Sequence, residues 1–131
     1  MSPTPAVVQL SSLAEVSELA AMASRALKDD ASRRAMLGGN FELSDELYAS
    51  MIRAAYLAGK AYAVKQDGKF ISIALWFEMS NALFSTAEQR ALGFDKLFQK
   101  LSPETQYWWT DTYPETINKW QAQIFTEEVC P

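Results

Sequence analysis

Few residues in this chain have the types and spacing to do chemistry. Glu78 follows Trp76 and Phe77 at the end of an apolar run. There a carboxylate can act as general base beside an acceptor pocket. A single carboxylate carries no geometric information, so a solvated strand end is the simpler reading. Tyr107, Trp108, Trp109 and Tyr113 form an aromatic cluster. Such clusters line ligand pockets, meet partners or fill cores, and core packing is the commonest use. Trp76, Phe77, Tyr107, Trp108 and Trp109 are therefore the candidate ligand or partner surface. Asp29–Asp30 and Glu127–Glu128 are paired acids. At helix ends such pairs cap and solvate, and no metal site is expected from them. Ser72 stands in an apolar run with no base in view. Cys130, next to the C-terminus, reads as an unpaired thiol.

What is missing narrows the chemistry further. The sequence contains no histidine, which excludes Ser-His-Asp and Cys-His catalysis, imidazole metal ligation and a histidine base. One cysteine permits no disulfide within the chain and suits a reducing compartment. A net charge of −4 without a basic cluster argues against nucleic acid and anionic membrane as partners. No run has signal-peptide or membrane-spanning length. The expectation is a single domain over 1–131, cytoplasmic, with no cofactor.

The elements that must position these residues are legible from punctuation and period. "PAVVQL" reads as a first strand, near 5–10. Ser12 and Glu15 have capping-box spacing, and apolar residues at helical spacing from Leu13 to Leu27 predict a helix over 12–28. Asp29 and Asp30 cap a short second helix that Gly38–Gly39 ends. A third helix begins at Ser44 and ends at Gly59. In "VKQDGKFISIALWFE" an Asp-Gly pair separates two strands, which predicts a type I′ hairpin over 60–77. A two-residue loop sets Gln66 opposite Lys69, Val64 opposite Ile71 and Tyr62 opposite Ile73. That register gathers Tyr62, Val64, Ile71, Ile73 and Leu75 on a bulky face. Ala61, Ala63, Ser72 and Ala74 fall on a small one, with Trp76 further along, which suggests cover on both sides. Thr86 with Gln89, Ser102 with Pro103, and Pro114 mark further helix starts. The fold class expected is α+β, a small antiparallel sheet packed with several helices.

The stretch "MIRAAYLAGKAYAVKQDGKFISIALWFE" resembles the front half of a GCN5-related N-acetyltransferase (GNAT) domain of fungal type. In that family a strand and helices lead into a hairpin with a "DGK" turn and an "ALW" strand. "NALFSTAEQRALGFDKLFQKLSPETQYWWTDTYPE" is similar to a helical insertion in fungal members. The resemblance implies a partial GNAT-like fold. The family continues into a fourth strand and a Gly-rich loop that cradles the acetyl-CoA pyrophosphate. This sequence reaches Pro131 first, and Gly38, Gly39, Gly59, Gly68 and Gly93 make no such spacing.

The function this reading favours is a non-catalytic GNAT-like binding or interaction protein. One alternative is an acetyltransferase using acetyl-CoA at an atypical or split site. Another is a small effector or immunomodulatory-type protein. The nearly continuous apolar run "KFISIALWF" reads as a central strand whose outer edge needs a neighbour. Self-association is expected there, most simply as a two-fold dimer centred on Ile71, Ile73 and Leu75 with Trp76 and Phe77.

Overall fold

The computed structural model describes residues 4–124. Glu127, Glu128 and Cys130 lie outside the described residues. The chain is α+β. A three-stranded antiparallel sheet holds β1 (Ala6–Gln9), β2 (Lys60–Gln66) and β3 (Lys69–Trp76), in that spatial order. Between β1 and β2 run α1 (Val16–Ala26), α2 (Ala31–Leu37) and α3 (Ser44–Ala58). After β3 come α4 (Ala87–Arg90), α5 (Phe94–Gln99), α6 (Pro103–Tyr107), a π-helical turn (Trp108–Thr112) and α7 (Tyr113–Ile124).

Side-chain caps start α4 and α6, whereas the N-cap Asp30 of α2 makes no side-chain cap bond. Asp30 is the N-cap of α2, and Gly38 closes it in the left-handed conformation that lacks a Cβ penalty. Ser102 caps α6, accepting the Thr105 N–H, with Pro103 in its first turn. Thr86 caps α4, accepting the Gln89 N–H at 3.2 Å. The expected Ser12–Glu15 capping box does not form. Ser12 Oγ accepts from the Ala14 N–H instead, α1 starts at Val16, and Glu15 reaches Lys65 at 3.8 Å. A turn takes the first residues of the expected helix because the chain must bend from β1 onto the sheet.

The hairpin turn is as the Asp-Gly pair dictates, with positive φ at Asp67 and Gly68. Beyond it the pairing departs from the expected register. Gln66 faces Lys69 and Lys65 faces Phe70, but Val64 faces Ser72, Ala63 faces Ile73 and Tyr62 faces Ala74. Ile71 is the extra residue of a β-bulge. The bulge slips the register by one and exchanges the faces of β2. The small Ala61 and Ala63 now join Ile73 and Leu75 on one face, where the alanines leave room for helices. Both alanines and Phe70 are buried there.

Helices α1 and α3 cover that face, and α3 is sandwiched between the sheet and the later helices. Leu19, Leu47, Ile52 and Leu97 are fully buried in the shared core. Among the described residues only one face of the sheet is covered, not two. The other carries Val7, Tyr62, Val64, Ser72, Ala74 and Trp76 with no helix packed on it among the described residues; Val7 is 70% and Trp76 64% exposed.

Candidate functional site

The sequence candidates separate into two regions. Trp76 stands on the open sheet face, and Ile71 is half exposed at the bulge. Ile73, Leu75 and Phe77 are partly buried and pack against the core. Thus of the residues expected at a dimer interface, Ile71 and Trp76 present side chains outward while Ile73 and Leu75 anchor β3 to the helices. β3 is a lateral strand, and no strand pairs with its outer edge among the described residues. Glu78 is exposed, and its carboxylate makes no hydrogen bond among the described residues; its carbonyl accepts the Asn81 N–H at 3.0 Å.

The second region is built by the helices after residue 85. Tyr107 is exposed, whereas Trp109 is buried and donates its indole N–H to the Met36 carbonyl at 2.8 Å. Trp108 packs edge-on against Trp109, with ring centres 5.1 Å apart, and lies 5.2 Å from Tyr113. Trp109 also meets Phe94 and Phe84, which stack on each other at 4.3 Å. Ring pairs at these separations gain from their quadrupoles beyond simple burial. The aromatic cluster therefore does both things its composition allows: Trp109 fills core, and with Tyr113 it lines a groove.

That groove has a volume of about 500 Å³. Its walls are the segment 79–85, the end of α4, α5, the π-turn and α7. Phe84, Phe94, Phe98, Trp109, Tyr113 and Ile117 supply apolar surface; Ser85, Thr110, Asn118 and Gln121 supply neutral polar groups. Arg90 is the one charged residue of the lining among the described residues. Its Nη1 donates to the Phe84 carbonyl at 2.9 Å.

Two backbone irregularities shape the groove. Phe84 has φ 59°, a left-handed conformation costly for a residue with a Cβ. Gln89 holds it there. This fully buried amide accepts the Phe84 N–H at 2.7 Å and donates to Asn81 Oδ1 and the Ala82 carbonyl. The π-turn is the other. Pro114 has no N–H to offer the Thr110 carbonyl, and its ring crowds that oxygen, so the helix widens ahead of it. The Tyr113 N–H bonds the Trp108 carbonyl, five residues back. Pro114 thus opens α7, as its type suggests, without breaking the helical run from Pro103.

The sequence gives no hint of Arg90 or Phe84 as site residues. Gln89 was legible only as a capping partner of Thr86, because its contacts to the 81–84 segment depend on a tight turn with no Gly or Pro signal. The glycines serve turns and caps. Gly59 lies so close to β3 that a Cβ there would overlap the Trp76 carbonyl oxygen. No family model, curated protein or solved structure matches this chain at a significant level.

Proposed function

We propose that this chain is a non-catalytic, GNAT-like binding and interaction protein that self-associates through the outer edge of β3. The observation that carries the reading is the state of that strand. It is lateral in the sheet, nearly all apolar, and flanked by exposed Ile71 and Trp76. Edge strands that stay unpaired in solution are usually blunted by lysines, proline or inward charges. β3 has a lysine only at its turn end, Lys69. The bulge at Ile71 twists one part of the edge and leaves Ser72–Trp76 regular. A second copy joined about a two-fold axis would pair antiparallel β3 strands and continue the sheet through both chains. The uncovered apolar face would then extend across the junction. The order strand, helices, hairpin supports the GNAT-like frame.

Sedimentation equilibrium of the wild type and of Ile71→Lys/Trp76→Lys tests the proposal. The wild type is expected to dimerise at micromolar concentration, and the double lysine variant to sediment as a folded 14.7 kDa monomer. A wild type that stays monomeric, or a variant that dimerises equally well, overturns it.

A further inference from the structure

The groove beside Trp109 is unused by the β3 association, and its chemistry points to a specific kind of ligand. We propose that it binds a planar aromatic monocarboxylate, with the ring against Phe84, Phe94, Trp109 and Tyr113 and the carboxylate on Arg90.

Size is the first argument. At about 500 Å³ the groove falls within the range of roughly 300–1,000 Å³ usual for small-molecule sites. Shape and surface are the second. Phe84 and Phe94 are stacked, and Trp109 and Tyr113 stand at steep angles to each other. Such walls offer both faces and edges to a flat ring. Charge is the third. The chain carries a net charge of −4, yet among the described residues the only charged side chain lining this groove is a cation. Arg90 commits one donor to the Phe84 carbonyl, and no carboxylate lies within ion-pair reach among the described residues. A guanidinium has five N–H donors in a planar fork that matches a carboxylate. The neutral groups at Ser85, Asn118 and Gln121 add polar contacts without adding negative charge.

Backbone strain is the fourth argument. The left-handed Phe84 and the π-turn at Trp108–Thr112 both border this groove. Conformations of this cost concentrate at ligand sites. Here one aims the Phe84 carbonyl at Arg90, and the other opens the helix where Thr110 and Tyr113 line the wall.

Isothermal titration with 2-naphthoate and its neutral amide, 2-naphthamide, tests the proposal on the full chain. The wild type is expected to favour the carboxylate by about tenfold or more, the scale of a charge-assisted hydrogen bond. Arg90→Gln keeps a donor for the Phe84 carbonyl and is expected to bind both compounds at the amide's affinity. Ile117→Trp, which fills the groove from α7, is expected to bind neither. Equal wild-type affinities, no binding of either compound at millimolar concentration, or a preference that survives Arg90→Gln would overturn the proposal. The wild-type comparison decides even where a variant fails to fold.

Discussion

The buried side chain of Gln89 accepts the backbone N–H of Phe84 at 2.7 Å and so fixes a left-handed phenylalanine at the wall of the groove. Two further bonds, to Asn81 and to the Ala82 carbonyl, make the amide a clamp on the whole segment from β3 to α4. Gln89→Leu keeps the volume and removes all three bonds. It leaves the Phe84 N–H buried without a partner, so the expected loss is about 2–4 kcal/mol. Chemical denaturation measures it. Near-UV circular dichroism should also change, since Phe84 would be free to leave its stack on Phe94. An unchanged midpoint would show that the segment is held by packing alone.

Tyr48 presents the opposite case. It is buried at 4% exposure on α3, and its hydroxyl has no hydrogen-bond partner among the described residues. Burial raises its pKa above the ordinary value of 10.0; Arg33 opposes that shift and Asp30 adds to it. Tyr48→Phe removes the orphaned hydroxyl, and stability should stay level or rise by about 1 kcal/mol. The pH dependence has a definite sign. Above pH 10 the unfolded phenol loses its proton while the folded one retains it, so the folded state binds more protons and stability falls as pH rises. That share of the alkaline loss should vanish in Tyr48→Phe. A variant less stable at neutral pH would mean that the hydroxyl has a partner in solution.

Gly59 and Gly68 separate two reasons for glycine. At Gly59 a Cβ would overlap the Trp76 carbonyl, which belongs to backbone and cannot swing aside. At Gly68 there is open space, but φ is 77°. Gly68→Ala should therefore cost about 1–2 kcal/mol, the left-handed penalty alone. Gly59→Ala should cost more, and should disturb the end of β3 where Trp76 sits. Thermal melts of the two variants rank them; equal costs would contradict the close approach.

Much of this fold is legible in the sequence, for reasons that stay local. Asp67-Gly68 fixes the turn, Ser44 and Gly59 bound α3, and Ser102-Pro103 starts α6. What escapes is decided by tertiary packing. The bulge at Ile71 arises where Phe70 turns into the core while Ile73 and Leu75 meet the helices beside small alanines. Strict alternation cannot reveal it. The groove joins residues of segments 79–85 and 90–98 to Trp109, Tyr113 and the helix around Pro114, a juxtaposition that only folding creates. The aromatic cluster was visible as composition. The division of its members between core, groove and exterior was not, because helical phase shifts across the π-turn.

Pairing of two chains at the outer edge of β3 would show in residue-resolved amide exchange followed as a function of protein concentration. An unpaired edge leaves alternate N–H groups of Ser72–Trp76 to water, and a second copy would take them into a ladder. Exchange at these amides is expected to slow as concentration rises through the micromolar range, while the β2 amides paired within the chain and those of α3 stay unchanged. Exchange along β3 that is independent of concentration would contradict it, as would slowing confined to the helices after residue 85.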